Sequence, residues 1–416
     1  MKDSPKVLSY DANIPKAFSD FDADEFVTGV RNWADSIVGK NDRVALSVSG
    51  GVDSTLVAHL LHPVLGDRLC LYFVNDGLRR LIKGRQEYAV VRDMFTDFNN
   101  FEVLYTADQL LPALCCVSDG RRKREIMIDH YLKVSNKFID SVGAKYVADG
   151  TIRPDIVTTA SKQQRQHNVD IAYRCTKLQP VASLFKPQVR RASMQVGIPA
   201  EFAHKIPCPG PAMLLRVGGV FTENKLELAK LATDEVEQAV DNHFSETWGK
   251  PYKYNEETGT RTPFQHFAYA IDQGMFDDRQ LSMGLSGVAG KKVKCYITDT
   301  DAMVIDPAVE RQTGELYKKI AWIESVDLLD FEAMNAVQGS LEKSGYPRAV
   351  FQIASGKSGG FPVGMKVVES DDAMTARTMG LPIEYISEVG GRIAGYGAGR
   401  VGYEISCKPP ATIELF

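Results

Sequence analysis

Ser47-Val48-Ser49-Gly50-Gly51-Val52-Asp53-Ser54-Thr55 lies between two apolar runs, Val44-Ala45-Leu46 before it and Leu56-Val57-Ala58-His59-Leu60-Leu61 after it. The first run predicts a buried parallel strand and the second the opening of a helix. Ser49, Gly50 and Gly51 let the backbone turn tightly and aim its N–H groups at an anion, and the helix adds its positive N-terminal end. Ser49 and Ser54 can donate to phosphate oxygens, and Asp53 is placed to hold magnesium on those phosphates. No Gly-Lys-Ser/Thr ending follows, so this is not the phosphate loop of kinases and GTPases.

Outward from the loop, strands alternate with helical patterns from Arg43 to about Ala203. The predicted strands are Val44 to Leu46, Leu69 to Val74, Phe101 to Tyr105 and Lys145 to Ala148. Such alternation predicts an α/β fold with a doubly wound parallel sheet, whose ligands sit beyond the C-terminal strand ends. Phe26-Val27, Val30, Trp33-Ala34 and Ile37 predict an amphipathic helix ahead of it. The cluster Pro207-Cys208-Pro209-Gly210-Pro211 cannot continue a helix, and it divides the chain into residues 1–205 and 206–416. A helix is predicted over Glu223 to Val240. The Gly-rich stretches at Gly284 to Gly290 and Ser355 to Gly364 read as loops.

The 416 residues carry a net charge of −4, which argues against bulk nucleic-acid binding. The start Met1-Lys2-Asp3-Ser4-Pro5 has no apolar core of a signal peptide and no run is long enough to span a bilayer, so a cytoplasmic protein is expected. The seven cysteines show no paired metal-ligand spacing and predict free thiols.

Ser-Gly-Gly-Val-Asp-Ser resembles the loop of the ATP pyrophosphatases, which split ATP between its α and β phosphates. Further segments, in order, resemble GMP synthetase from about residue 43 onward. Phe73-Val74-Asn75-Asp76-Gly77-Leu78-Arg79 is similar to that family's next strand end, and Gly150-Thr151-Ile152-Arg153-Pro154-Asp155 to its Gly-Thr-x-x-Pro-Asp motif. His167-Asn168-Val169, Leu184-Phe185-Lys186-Pro187-Gln188-Val189-Arg190 and Pro207 to Pro211 follow. Asp372-Ala373-Met374-Thr375-Ala376 and Lys408-Pro409-Pro410-Ala411-Thr412-Ile413-Glu414 are similar to its nucleotide-binding dimerisation domain.

The resemblance implies an adenine nucleotide α-hydrolase-like first domain and a smaller α+β second domain that makes a homodimer. It implies ATP and Mg2+ as cofactors and a purine nucleotide whose carbonyl oxygen attacks the α-phosphate. Ser47, Ser49, Gly50, Gly51, Val52, Asp53 and Ser54 would hold ATP, with Asp53 on the metal and Lys186 neutralising pyrophosphate. Arg153, Gln352, Lys408 and Glu414 would anchor the purine nucleotide. The role of His167 is left open.

Three departures bear on the product. Only 46 residues precede Ser47, too few for the family's glutaminase domain, so nitrogen is expected from a separate glutaminase subunit or free ammonia. The family's mobile lid aligns with Leu110 to Asp119, where this chain carries Cys115-Cys116 ahead of Arg121-Arg122-Lys123-Arg124. A positive field lowers a thiol's pKa, which makes these cysteines candidate nucleophiles or persulfide carriers, with Cys175 and Cys208 as possible further thiols. Finally, Lys366 replaces a family Arg and Asp170-Ile171-Ala172 follows His-Asn-Val, which argues against xanthosine monophosphate (XMP) as the base held. The expected reaction is therefore sulfur insertion into GMP to give its 6-thio analogue, served by a sulfur-donor protein. Amination of XMP and a retired nucleotide-binding regulator are the alternatives. Three thiols holding an iron–sulfur cluster are neither supported nor excluded by the spacing.

Overall fold

In the computed structural model, residues 6–12, 20–160, 173–206, 208–249, 254–255, 260–261, 264–305, 316–370 and 375–416 are described. The first part runs β1 (Val7–Ser9), α1 (Ala23–Ile37), β2 (Arg43–Ser47), α2 (Val52–Leu65), β3 (Leu69–Asn75) and the short hairpin β4 (Leu81–Ile82) and β5 (Arg85–Gln86). There follow α3 (Glu87–Met94), β6 (Phe101–Tyr105), α4 (Ala107–Leu114), α5 (Gly120–Val142), β7 (Ala144–Ala148), α6 (Arg153–Ala160), β8 (Thr176–Gln179), α7 (Lys186–Gln195) and α8 (Ala200–Ala203).

Six of these strands form one sheet in the order β1-β8-β7-β2-β3-β6, every pair parallel. Period-two alternation splits its apolar residues between two cores. Val44, Leu46, Leu71 and Phe73 join α1, α2 and α7, whereas Ala45, Cys70, Tyr72 and Val74 meet Phe138 and Ile139 of α5. This is the expected doubly wound sheet, with two further strands, β1 and β8. Strand order reverses between β2 and β7, and a crevice at their C-terminal ends is where such a sheet binds ligands.

Residues 204–222 then lead into a second, nine-stranded mixed sheet. Its elements are α9 (Glu223–Trp248), the pair β9 (Tyr254–Asn255) and β10 (Thr260–Arg261), β11 (Phe264–Ala270), β12 (Met275–Asp277), α10 (Arg279–Ala289), β13 (Val293–Val304) and β14 (Leu316–Ser325). The chain continues through α11 (Phe331–Lys343), β15 (Ala349–Ser355), β16 (Pro362–Glu369), β17 (Ala376–Thr378), α12 (Ile383–Gly395), β18 (Arg400–Ile405) and β19 (Cys407–Lys408). The sheet order is β12-β13-β14-β15-β18-β16-β17-β19, with β11 on β16. The pair β9 and β10 forms a separate ribbon.

Three expectations change. The helix at Glu223 continues past Val240 to Trp248, because its stop is Gly249 in the left-handed region at φ 68°. Gly284 to Gly290 is mostly helix rather than loop: Asp278 caps α10 by accepting from the Leu281 N–H, and Leu285 is buried. The loop read over Ser355 to Gly364 ends at Pro362, where β16 begins. Gly364 is there to admit an aromatic ring, since a Cβ would stand 2.3 Å from Tyr269 Cζ.

The two halves share packing. Leu78, Leu110, Leu114 and Met127, from the first half, lie in the same apolar core as α9 and the second sheet. Among the described residues, no helix is long and apolar enough to cross a membrane.

Candidate functional site

The strand β2 ends at Ser47, and the chain turns through Val48–Gly51 into α2. Gly50 sits at φ 76°, where L side chains are strained, and a Cβ there would stand 2.7 Å from Val91. The loop is braced from within: the Ser49 N–H donates to Ser54 Oγ (3.2 Å), and the Gly51 N–H to Ser49 Oγ (3.3 Å). The Ser54 and Thr55 hydroxyls both donate to the Gly51 carbonyl, at 3.2 and 2.9 Å. Gly150, at the end of β7, crosses close to this turn, since a Cβ there would be 2.8 Å from the Ser54 nitrogen. Two strand ends on either side of the switch point thus meet at the N-terminus of α2.

A cavity of about 250 Å³ opens at that meeting point, lined by Ser47 to Ser54, Asp149, Gly150 and Lys186. Lys186 begins α7, and its Nζ lies 2.7 and 2.5 Å from the two Asp53 carboxylate oxygens. Asp155 accepts from the Ile152 N–H at 3.1 Å. Burial, opposed by that hydrogen bond and reinforced by the Asp53 charge, raises its pKa. No cluster of three or more metal-ligating side chains occurs among the described residues. One or two carboxylates facing a phosphate cradle suit magnesium carried on ATP, which keeps waters and phosphate oxygens as ligands. Asp53 is the donor that fits, and Asp155 is a second carboxylate beside it.

The far wall holds a charge network that the sequence reading missed. Lys205 donates to Glu87 (2.8 Å) and to the Gly50 carbonyl (3.4 Å), so it underpins the loop from outside. Arg80 bridges Glu87 (3.6 Å) and Glu237 of α9 (2.5 Å). Lys205 and Glu237 lie more than a hundred residues from Arg80 and Glu87, so only the fold assembles the four. Burial alone would raise the Glu87 pKa, but Lys205 and Arg80 outweigh it and hold it at about 2. Its folded value is below the ordinary 4.5, so its stabilising contribution is complete above pH 4.5 and lost as pH falls from there through about 2. Urea midpoints followed from pH 6 to pH 2.5 are therefore expected to fall below pH 4.5, and to fall less in Glu87→Gln.

The cysteines do not converge on the cavity. Cys115 and Cys116, after α4, are exposed with their sulfurs 3.5 Å apart, and neither lines it. Two of the four cations expected to act on them are engaged elsewhere. Lys123 turns inward to the carbonyls of Val217 (2.8 Å) and Gly219 (2.6 Å), and Arg122 pairs with Glu125 (3.1 Å). The Cys115 pKa is raised, chiefly by its hydrogen bond with Cys116. Cys208 does line the cavity, but burial raises its pKa as well. Cys175 packs against the core that holds Phe138, Ile139 and Tyr173 and does not line the cavity, and burial pushes its pKa up to about 11. Hence no iron–sulfur triad forms among the described residues.

None of the expected nucleotide anchors lines the cavity. Arg153 opens α6 and is exposed. Gln352 accepts from Trp322 Nε1 (3.1 Å) and donates to Ser355 (3.0 Å). Lys408 pairs with Ala376 across β17 and β19. Glu414 is enclosed beside Arg216 at 3.7 Å, and burial raises its pKa. Lys366 does not offer a free base-reading group. It is buried, donating to Glu404 (2.7 Å), Ser406 (3.1 Å) and the Thr412 carbonyl (3.0 Å), so it clamps the segment that carries Glu414. Its substitution is therefore no argument against XMP. His167 and the neighbouring Asp170 to Ala172, with Pro207 and Asp372 to Met374, lie outside the described residues.

The chain is similar to known proteins over most of its length. The family described as GMP synthase C terminal domain matches residues 355–415. A subunit of the glutamine-hydrolyzing GMP synthase of Sulfurisphaera tokodaii is 27% identical over 403 residues, covering 95% of this chain and 99% of that one. The glutamine-hydrolyzing GMP synthase of Pseudomonas fluorescens is 30% identical over 391 residues, which span 90% of this chain and 56% of that protein. Among solved structures, NMN synthetase from Francisella tularensis matches with a TM-score of 0.38 and 14% identity, over 50% of this chain and 85% of that one.

Proposed function

We propose, from the premise that this chain is a member of the GMP synthase family, that it uses ATP to activate a purine nucleotide carbonyl and then replaces that oxygen. The observation that carries the reading is the meeting of the Ser47–Ser54 loop, Asp53 and Lys186 in one cavity at the switch point. The carbonyl oxygen forms a bond to the α-phosphorus as the bond to the β-phosphate oxygen breaks and pyrophosphate leaves. A nucleophile then adds at the activated carbon, and AMP departs with the former carbonyl oxygen.

Charge builds on the departing pyrophosphate, where N–H groups at the start of α2 and the Lys186 ammonium act on it in a low-dielectric cleft. Magnesium on the phosphates, held by Asp53, would add electrostatic neutralisation of the same charge. Residues 1–205 would hold ATP, and Gln352, Lys408 and Glu414 of residues 206–416, joined by Arg153 from the first half, would hold the purine nucleotide. Dimerisation through the second half is part of this proposal.

Ammonia acting on XMP is the nucleophile and substrate the relatives favour, since several are named as single subunits of a glutamine-hydrolyzing GMP synthase. A separate glutaminase subunit would then supply it. A second reading rests on a specific observation: two exposed thiols stand side by side between α4 and α5. On that reading a sulfur carried there replaces the oxygen of GMP.

Purified protein with ATP and magnesium, given XMP plus ammonium or GMP plus sulfide, separates the two by product mass. GMP from XMP at a rate that Cys115→Ser and Cys116→Ser leave within about threefold is the expected result. A 6-thio product formed at limiting sulfide, lost in one cysteine variant and restored by excess sulfide, would replace amination with sulfur insertion. No pyrophosphate from any purine nucleotide would leave only a nucleotide-binding regulator.

A further inference from the structure

The segment after β19 passes through the second half and ends its path on a helix of the first. Met303 N–H donates to the Leu415 carbonyl (2.6 Å), and Arg348 holds the carbonyls of Thr412 and Glu414, each at 2.7 Å. Leu415 and Phe416 are buried. The Phe416 ring rests directly on the backbone of Gly120, where a Cβ would lie 2.6 Å from its Cγ. Lys123 Nζ stands 4.8 Å from the ring centroid while donating to Val217 and Gly219.

The loop ahead of α5 is tied to the same region. Cys116 N–H donates to the Phe221 carbonyl (3.1 Å), and Phe221 N–H to the Val117 carbonyl (2.9 Å). Two turns further along the same helix, Met127, Ile128 and Tyr131 line the cavity. A hydrogen-bonded helix moves as a unit over so short a distance, so whatever sets its first turn also sets that wall.

We propose that Phe416 is a positioning residue: through Gly120 and Lys123 it sets α5, and so couples purine nucleotide held by the 408–414 segment to the ATP cavity. The inference rests on the nucleotide reading of Lys408 and Glu414. A nucleotide that draws in Glu414 moves a residue two positions from Phe416, and α5 follows. ATP and the purine nucleotide then tighten each other's binding by the same factor.

The test measures the Kd of α,β-methylene-ATP on the full chain with magnesium, with and without saturating XMP and, separately, GMP. The wild type is expected to show at least about fivefold tightening. Phe416→Ala should bring that ratio below about twofold while each ligand alone binds within about threefold of wild type. Phe416→Leu, which keeps an apolar body on Gly120, should restore most of the ratio. Gly120→Ala approaches the contact from α5, so the result survives if Phe416→Ala fails to fold. It should lower the ratio, and combining it with Phe416→Ala should lower it no further than either change alone. A full ratio in Phe416→Ala and Gly120→Ala, or a wild-type ratio near one with both ligands bound, overturns the coupling. If neither XMP nor GMP binds at all, the nucleotide reading itself fails, and that outcome is distinct from bound ligands without coupling.

Discussion

Lys186→Ala is expected to cut pyrophosphate release by a factor of about 10²–10³ at saturating ATP and purine nucleotide, with the fold intact. Lys186 is a cation held at the loop, 2.5 and 2.7 Å from the Asp53 oxygens. Its side chain keeps about a third of its surface in solvent, 35% exposed, so the apolar core does not depend on it. Loss of the ammonium removes a fixed positive charge from the place where pyrophosphate gathers negative charge. It also leaves Asp53 facing the phosphates without its partner. Lys186→Arg keeps the charge but not the point geometry, and should recover only part of the rate. The measurement is initial-rate pyrophosphate release beside a urea melt of each variant. A rate within tenfold of wild type in Lys186→Ala would take this residue out of the chemistry and leave the loop N–H groups as the main support for the leaving group.

Arg348→Ala is expected to destabilise the protein by about 3–5 kcal/mol, the range for removing one partner of a buried ion pair. Arg348 is almost fully buried and donates to Glu404 at 2.9 Å, to the Thr412 hydroxyl at 2.6 Å, and to the Thr412 and Glu414 carbonyls. Its removal leaves those carbonyls short of donors inside the protein. Glu404 keeps Lys366 at 2.7 Å and Tyr269 at 2.6 Å, so its charge is only partly compensated. The urea midpoint should drop at nearly constant m-value, which reports lost stability rather than a changed denatured state. The same variant should weaken purine nucleotide binding, because the released segment carries Lys408 and Glu414. A midpoint shift worth less than about 1 kcal/mol would mean that Leu415 and Phe416, by apolar burial, hold the segment without Arg348.

The parallel sheet and the loop were legible because their signals are local. An apolar strand, a Gly-Gly turn and a helix start occupy one short stretch, and period-two burial repeats in each neighbouring strand. Segments at Gly150–Asp155 and Leu184–Arg190 were legible as motifs, and the fold brings both to the loop. Helix α10 was misread because Gly284 and Gly287 lower helix propensity, whereas the Asp278 cap and packing of Leu285 override it. The Lys205–Glu87–Arg80–Glu237 network was invisible because Lys205 and Glu237 come from distant parts of the chain and none of the four is unusual alone.

By itself, the chain from Ser47 to Ser54 determined a Gly-Gly turn from a parallel strand into a helix N-terminus, since glycine backbone freedom and a helix start follow from residue type and order alone. Tertiary structure decided which charges line the cavity and which thiols lie outside it. The basic run 121–124 promised a field over Cys115 and Cys116, yet packing turned Lys123 inward to Val217 and Gly219. Lys366 looked like a change in base recognition and proved to be a clamp on Thr412 and Glu404. The reason is physical: the strength of a charge depends on its distance to a partner and on the water around it. Sequence sets neither; the folded packing sets both.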